Sequence, residues 1–346
     1  MQQLNIVLME RWPHPVAANL LGDRPHLRVT AMGMDSHDHN WVALERAHVY
    51  QTRSTRSELP QQYWADAPLF SRCENMLVIS TNGSGYDTVN LDACTEAGVI
   101  VVNQAGGNKQ GVAEHALGMM LVLTKRIVEA DRAMRKVTGL ERERYMGNDA
   151  HGKTLGIVGL GNVGTHVARL AGGLLNMRVL AFDPFIEASA FAERGAEQAD
   201  FDTLLRESDF ISVHCPRNSS SEWMFDAGAY ARMKPSAYFV TTARGGVHDE
   251  EALAQALADK QIAGAGLDVW DPEPPALDHP LLQFDNVIVS PHTAGVTHES
   301  RANVVVGTIE QIDEIAHARR PPRLLNPEAW PKFVSRYETL FGVTPS

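Results

Sequence analysis

Cysteine is scarce in this chain of 346 residues. The three cysteines, Cys73, Cys94 and Cys215, are an odd number that cannot close a full set of disulfides, and they lack the paired spacing of metal sites. We therefore expect no metal centre. A reducing compartment, the cytoplasm, is the simplest location for a chain of this composition.

Long apolar runs and an excess of positive charge are also missing. The apolar run within residues 1–12 is interrupted by Glu10 and Arg11, so neither a signal peptide nor a membrane-spanning helix is expected. Lysine and arginine number 31 against 42 aspartate and glutamate residues, which gives a formal net charge of -11. Nucleic acids and anionic membranes are bound by clustered basic side chains, so we expect neither as a partner.

Glycine, in contrast, recurs at an informative spacing in the middle of the chain. Gly159, Gly161 and Gly164 follow a short apolar run that predicts a buried strand, and a helix is predicted to begin near Asn162. This order is typical of a strand, turn and helix that bind the pyrophosphate of a dinucleotide. The first amides of the helix, including those of Asn162 and Val163, would face the phosphates.

An acidic residue closes the next predicted strand. Asp183 lies about 20 residues beyond Gly164, at the distance where a carboxylate holds the ribose 2′-hydroxyl of a dinucleotide. The same carboxylate would repel the 2′-phosphate of NADP. The sequence therefore predicts NAD as the cofactor.

Short β-branched runs alternate with helical segments through both halves of the chain, which is typical of α/β proteins with parallel sheets. Residues 112–134 form a long apolar-periodic segment that predicts one helix between the halves, after a hinge at Gly106 and Gly107. A second crossing is predicted at residues 295–298. The predicted strands are residues 5–9, 49–51, 76–80, 99–103, 155–158, 178–182, 210–214, 237–242, 263–268 and 286–290.

We therefore predict an α/β fold with two doubly wound parallel-sheet domains. A Rossmann NAD-binding domain at residues 105–297 would be inserted into a flavodoxin-like substrate domain. That substrate domain would consist of residues 1–104 and residues 298–346.

Three reactive side chains follow successive predicted strands of the second half. Arg244, Glu273 and His292 would meet at one edge, because parallel strands place their carboxyl ends together. A guanidinium matches a carboxylate, an imidazole can protonate a carbonyl oxygen, and a neighbouring carboxylate fixes the imidazole tautomer. These three kinds of side chain together predict hydride transfer between nicotinamide and a 2-oxo acid. Arg244 has two alternatives, binding a cofactor phosphate or capping the helix that begins near Asp249.

Several motifs together resemble the D-isomer-specific 2-hydroxyacid dehydrogenase family over nearly the whole chain. They are residues 159–164, 214–216, 233–235, 241–246, 267–270, 273–274 and 290–292. Arg244, Glu273 and His292 match the catalytic trio of that family. The resemblance implies cofactor contacts by His214, Cys215, Pro216, Thr242, Ala243 and His292, and it implies that Asp268 faces the nicotinamide carboxamide.

In the first half, the loop of Gly83, Ser84 and Gly85 resembles the family's substrate loop, whose amides cradle the substrate carboxylate. Ser84 stands where Val or Ala is usual, which would favour a polar substrate. Arg53 and Arg56 resemble a segment near the substrate of phosphoglycerate dehydrogenases, so they bind a phosphate or lie in a solvated loop.

The resemblance implies a small (R)-2-hydroxyacid or 2-oxo acid as substrate, with hydroxypyruvate, glyoxylate and 3-phosphoglycerate as leading choices. It also implies a homodimer joined through the nucleotide domains, with the helix from Val112 onward at the contact. Two alternatives share the scaffold and the trio. One is a phosphite dehydrogenase, and the other is a non-catalytic, NAD-sensing corepressor-like binding protein.

Overall fold

The computed structural model describes all residues, Met1–Ser346, and divides into two compact units. Unit 1 comprises Met1–Asn108 and His298–Ser346, and unit 2 comprises Lys109–Thr297. No helix combines the length and the apolar character that crossing a lipid bilayer requires.

Short strands alternate with helices throughout both units. The strands are β1 (Leu4–Met9), β2 (Leu27–Met32), β3 (Val49–Thr52), β4 (Val78–Thr81), β5 (Ile100–Val102), β6 (Thr154–Val158), β7 (Arg178–Phe182), β8 (Glu197–Gln198), β9 (Phe210–Val213), β10 (Tyr238–Thr241), β11 (Gly264–Leu267) and β12 (Val287–Val289).

The α-helices are α1 (Val16–Gly22), α2 (His37–Glu45), α3 (Ala67–Phe70), α4 (Leu91–Ala97), α5 (Lys109–Thr124), α6 (Ile127–Met134), α7 (Asn162–Leu175), α8 (Ala188–Glu193), α9 (Phe201–Glu207), α10 (Ala227–Ala231), α11 (Glu250–Ala258), α12 (His298–Ala316) and α13 (Trp330–Phe341). Short 3₁₀ turns lie at Arg56–Glu58, Gln61–Tyr63, Arg142–Tyr145, Pro280–Gln283 and Pro327–Ala329.

Unit 1 contains a five-stranded sheet in the order β2-β1-β3-β4-β5, and every pair is parallel. This is the flavodoxin order, in which the chain reverses direction across the sheet between β1 and β3. Apolar side chains of α12 and α13, including Ile309 and Phe333, pack with Ile6 and Ile100 in one core cluster. Burial of each such side chain stabilises the fold by about 1.5–3 kcal/mol.

Unit 2 contains a seven-stranded sheet in the order β12-β11-β10-β9-β6-β7-β8, also entirely parallel. This is the Rossmann order, with the reversal between β6 and β9. Ligands of such sheets bind at the carboxyl ends of the strands beside that reversal. The two parallel sheets confirm the predicted α/β fold class.

The prediction of one continuous helix over residues 112–134 was wrong. The segment contains α5 and α6, and the chain breaks between them at Arg126, whose φ of 53° lies in the left-handed region. The Arg126 guanidinium bonds to Glu129 Oε2 at 2.6 Å and to the Arg144 carbonyl at 2.7 Å. These contacts stabilise a turn that neither glycine nor proline announces in the sequence.

Candidate active site

The turn between β6 and α7 is built so that side chains are excluded from it. Gly159 has a φ of 89°, and a Cβ there would come within 2.7 Å of the Cys215 nitrogen. A Cβ on Gly164 would overlap the Gly159 carbonyl oxygen. Gly161 has open space around its Cβ position, with no atom within 4 Å. Bare backbone therefore lines a concave turn at the start of α7.

This turn fits the pyrophosphate of NAD. Helix α7 begins at Asn162, so the amides of Asn162, Val163 and Gly164 lack acceptors within the helix and can bind an anion. Asp183 follows β7 and is partly exposed beside the turn. Its Oδ2 accepts a hydrogen bond from the Leu160 amide at 2.9 Å, so one carboxylate both orders the turn and remains available to a ribose hydroxyl.

Histidine 214 follows β9 on the other side of the same turn. Its Nε2 lies 2.8 Å from Ser212 Oγ, and its Nδ1 lies 3.2 Å from Thr242 Oγ1. Burial lowers the pKa of His214 to about 3, so the ring is neutral at pH 7. Burial also raises the pKa of the Cys215 thiol to about 11. Neither His214 nor Cys215 therefore carries a charge at pH 7.

Pro216 and Ala243 complete the set of predicted cofactor residues at these strand ends. Pro216 is exposed beyond β9, whereas Ala243 is 6% exposed beyond β10. Thr242, between β10 and Ala243, is held by the His214 contact. The structure thus brings the residues after β6, β7, β9 and β10 to one edge of the sheet of unit 2.

The contact predicted between Glu273 and His292 is present. His292 Nδ1 lies 2.9 Å from Glu273 Oε2, and the two side chains are 28% and 16% exposed. Burial raises the pKa of Glu273, but His292, the Trp270 amide and Arg244 together outweigh burial, so the net pKa lies below the ordinary value. The ionised carboxylate takes one imidazole nitrogen and leaves Nε2 of His292 for a substrate.

Arg244 lies close to this pair, since its charge also lowers the pKa of Glu273. Its Nη1 donates to the Ala243 carbonyl at 2.7 Å. The next residue, Gly245, packs so closely on the loop after β11 that a Cβ would overlap the Trp270 carbonyl oxygen. Glycine is therefore required for the Arg244 and Glu273 loops to meet.

Asp268 is completely buried, and its carboxylate holds the His292 loop. It accepts hydrogen bonds from Ser290 Oγ at 2.6 Å and from the amides of Thr293 and Ala294 at 2.7 and 2.9 Å. The resemblance assigned this carboxylate to the nicotinamide carboxamide. Its bonds hold the Ser290 side chain before His292 and two backbone amides after it, which supports the φ of 55° at His292. The role of Asp268 toward the carboxamide stays a prediction.

The predicted substrate loop lies in unit 1, after β4. Gly83 has a φ of 103°, and its carbonyl accepts the Gln104 amide at 2.7 Å. The Ser84 carbonyl accepts Asn103 Nδ2 at 3.0 Å. These bonds tie back two successive carbonyls and set the conformation of the loop through Gly85.

Two arginines follow β3 in the same unit, and both are engaged. Arg53 Nη2 lies 3.2 Å from Glu10 Oε2. Arg56 Nε donates to the Asp87 carbonyl at 3.2 Å, and its guanidinium lies 5.3 Å from the centre of the Trp64 ring. A phosphate that used Nη2 of Arg53 would therefore displace Glu10.

Some residues that shape the site were not predicted from the sequence. Arg194 Nη1 donates to the Leu160 carbonyl at 2.6 Å and so supports the glycine turn. His115 Nε2 lies 2.9 Å from Ser290 Oγ, on the far side of the Asp268 network. An arginine that follows a short helix and a histidine within a long one carry no sequence signal for such roles. Only spatial proximity identifies them.

The sheet order of unit 2, its glycine turn, and the imidazole–carboxylate pair beside an arginine define a dinucleotide-binding α/β protein with a candidate acid–base site. Residues 117–294, more than half of the chain, match the sequence profile described as D-isomer specific 2-hydroxyacid dehydrogenase, NAD binding domain. The protein belongs to the D-isomer specific 2-hydroxyacid dehydrogenase family, and NAD is its cofactor.

Relatives agree with this assignment. The D-3-phosphoglycerate dehydrogenase of Archaeoglobus fulgidus is 41% identical over 251 residues, covering 72% of this chain and 47% of the relative. The glyoxylate reductase of Korarchaeum cryptofilum is 36% identical over 266 residues, covering 76% of this chain and 80% of the relative. The chain thus spans about half the length of the phosphoglycerate dehydrogenases it matches.

Solved structures show the same architecture. The D-lactate dehydrogenase of Aquifex aeolicus, complexed with NAD and lactic acid, superposes with a TM-score of 0.76 at 26% identity. That comparison covers 90% of this chain and 96% of the other.

Proposed function

We propose that the protein is an NAD-dependent dehydrogenase that interconverts a small (R)-2-hydroxyacid and its 2-oxo acid. The observation that carries the proposal is the 2.9 Å contact between His292 Nδ1 and Glu273 Oε2 beside Arg244. Relatives named for D-3-phosphoglycerate and for glyoxylate act within this substrate class.

Each member of the trio has one task. Arg244 binds the substrate carboxylate, because its planar guanidinium stays charged and matches carboxylate geometry. His292 Nε2 donates a proton to the carbonyl oxygen during reduction and accepts it during oxidation. Glu273 holds Nδ1 and stabilises the imidazolium. The nicotinamide of NAD supplies and accepts the hydride.

The 2-oxo acids of this class differ in the side chain that the enzyme must accept. Arg53 is paired with Glu10, whose side chain is 54% exposed, so breaking that ion pair costs under about 1 kcal/mol. Glyoxylate and hydroxypyruvate leave the pair intact, whereas a phosphorylated 2-oxo acid would replace Glu10 with its phosphate. We propose that Gly83, Ser84 and Gly85 bind the shared carboxylate end.

We also propose a homodimer joined through unit 2. Helix α6 contains no buried residue. Its apolar side chains Ile127 and Met134 are 52% and 74% exposed. Val137 and Met146, in the segment that follows, are 56% and 73% exposed. Such an apolar surface is usually covered by another chain. A second copy of unit 2, placed against α5 and α6, would cover it.

We propose the cytoplasm as the location, since Cys73, Cys94 and Cys215 are all free thiols. Cell fractionation that recovers the protein in a secreted or periplasmic fraction would contradict this.

The proposal is tested by measuring oxidation of NADH and NADPH with glyoxylate, hydroxypyruvate, phosphohydroxypyruvate, pyruvate and bulkier 2-oxo acids. His292→Asn should lower kcat by about 10²- to 10⁴-fold, because it removes the general acid. The control is His151→Asn, which changes an exposed histidine and should retain wild-type turnover.

Other outcomes separate the alternatives. Turnover of phosphite with NAD, and of no 2-oxo acid, would identify a phosphite dehydrogenase. No turnover at all, with a peptide partner bound only in the presence of NAD, would identify a binding protein.

A further inference from the structure

Glu250 lies behind the acid–base pair and is not part of it. It is the first residue of α11, and its side chain is 12% exposed. Its Oε1 accepts a hydrogen bond from the Asp271 amide at 2.9 Å, and its Oε2 lies 2.9 Å from His279 Nε2. The N-terminus of α11 favours the ionised carboxylate. Glu250 therefore holds the loop two residues before Glu273.

Two successive amides of that loop bind two different carboxylates. The Trp270 amide donates to Glu273 Oε1 at 3.1 Å, and the Asp271 amide donates to Glu250 Oε1 at 2.9 Å. Both amides belong to one short stretch of backbone. The direction of the Trp270 N–H, and with it the orientation of the Glu273 carboxylate, therefore depends on how Glu250 holds Asp271.

His279 supports the same stretch from two directions. Its Nδ1 accepts the Leu281 amide at 3.3 Å, so its proton is on Nε2 and the neutral ring donates to Glu250. The ring also packs edge-on against Trp270, with centroids 5.5 Å apart and planes at 79°. The Trp270 indole in turn donates to the Ser290 carbonyl at 3.2 Å.

We infer that Glu250 and His279 are positioning residues, which hold the Trp270–Asp271 backbone so that Glu273 is aligned on His292. The catalytic consequence rests on the proposed function, whereas the alignment itself does not. Neither residue touches the substrate or the nicotinamide in this assignment; both act through the loop.

The titratable and charged groups around the two carboxylates are few. His279 and Asp271 face Glu250, and His292 and Arg244 face Glu273. Burial raises the pKa of Glu250 above its ordinary value, although the bonds from Asp271 and His279 oppose that change. Protonation of Glu250 in mild acid would remove one of its two acceptor oxygens.

The test compares Glu250→Gln with Glu251→Gln. Both changes remove one charge from the first turn of α11, but Glu251 is exposed. In the apoprotein, NMR of labelled histidine should show the His292 pKa lowered by about 0.5–1 unit in Glu250→Gln, because Glu273 stabilises the imidazolium less well. The pKa in Glu251→Gln should equal that of the wild type.

Kinetics give the second readout. With the best 2-oxo acid, kcat of Glu250→Gln should fall about tenfold and the alkaline limb of its pH profile should shift to lower pH with the His292 pKa, while KM changes less than about twofold. A merely structural role of Glu250 would not shift the pH profile.

An unchanged His292 pKa in folded Glu250→Gln would overturn the inference. If that variant does not fold, His279→Asn replaces it. Asparagine keeps an acceptor for the Leu281 amide and removes the donor to Glu250, and the same criterion applies. A lowered pKa in a chain that turns over no 2-oxo acid would support the positioning role and reject the proposed function instead.

Discussion

One residue of unit 2, His248, is buried in a way that lowers the stability of the fold. His248 is completely buried, and neither of its ring nitrogens has a hydrogen-bond partner. Its ring packs against Phe239, with centroids 5.7 Å apart. Burial lowers the pKa of His248 to about 4, below the ordinary value of 6.5. The neutral ring therefore behaves as an apolar side chain that carries two unsatisfied polar atoms.

Replacing His248 with leucine should raise the free energy of unfolding at pH 7.5 by about 1 kcal/mol, because it removes buried atoms without partners. The gain should grow as the pH falls. Between pH 6.5 and pH 4 the unfolded chain binds a proton that folded His248 excludes, so wild-type stability falls by an amount on the order of 3 kcal/mol. The leucine variant loses that dependence.

Urea unfolding at pH 7.5 and pH 5.0 measures both effects. His151→Leu is the control, since His151 is exposed and should leave the pH dependence unchanged. Equal pH dependence in wild type and His248→Leu would show that the His248 pKa is the same in the folded and unfolded chain, which would contradict the burial effect.

Among single residues, the sequence could predict those reactive side chains that directly follow a strand. Arg244, Glu273 and His292 follow β10, β11 and β12, so their convergence follows from the geometry of parallel strands. The residues that hold Glu273 and His292 in place were not predictable, because they act through backbone amides. Nothing in the residue type of Glu250 or Asp268 indicates which peptide N–H its carboxylate will accept.

At the scale of secondary-structure elements, two glycines in the turn between β6 and α7 are needed for different reasons. Gly164 lies against the Gly159 carbonyl and permits the helix to begin there. Gly161 has no atom within 4 Å of its Cβ position, so its missing side chain leaves room for a ligand rather than for the fold.

Alanine at the two positions should therefore act differently. Gly161→Ala should keep the melting temperature within about 2 °C and weaken NADH binding at least about tenfold, since the methyl group enters the space of the pyrophosphate. Gly164→Ala should lower the melting temperature markedly, because the Cβ overlaps backbone. Calorimetry measures the melting temperature of both variants, and fluorescence titration measures how tightly they bind NADH. A Gly161→Ala variant that unfolds early would contradict this division.

Elements with strong apolar patterns were predicted from the sequence, and weakly patterned ones were not. Strand β7 was predicted over its whole length, Arg178–Phe182. Strand β2 was missed because four exposed residues separate buried Leu27 from buried Met32 at the sheet edge. Strand β8 is two exposed polar residues. Such edge strands are specified by their neighbours rather than by their own pattern.

For the whole molecule, the surface of α6 leads to the proposed dimer. An apolar face that includes Ile127 and Met134 has no cover within the chain. Light scattering should give about twice the chain mass of 38.0 kDa. Ile127→Glu with Met134→Glu should shift the protein to the monomer, because two charges cannot be buried unpaired at an apolar contact.

Leu277→Glu is the matched control, since Leu277 is 94% exposed in unit 2 and lies outside α6. It should leave the mass unchanged. A wild-type monomer at micromolar concentration would reject the dimer without affecting the proposed chemistry.

The discontinuity of unit 1 has a consequence during synthesis. Its first segment ends at Asn108, but Ile309, Phe333 and Tyr337, which cover one face of its sheet, belong to the last segment. A ribosome that adds about 5–20 residues per second needs roughly 12–48 s to translate residues 109–346. Until α12 and α13 have been translated, the face of the nascent sheet that carries Leu4 and Ile6 lacks the cover that these helices provide. Unit 1 can therefore complete its core only after its last segment, His298–Ser346, has been translated.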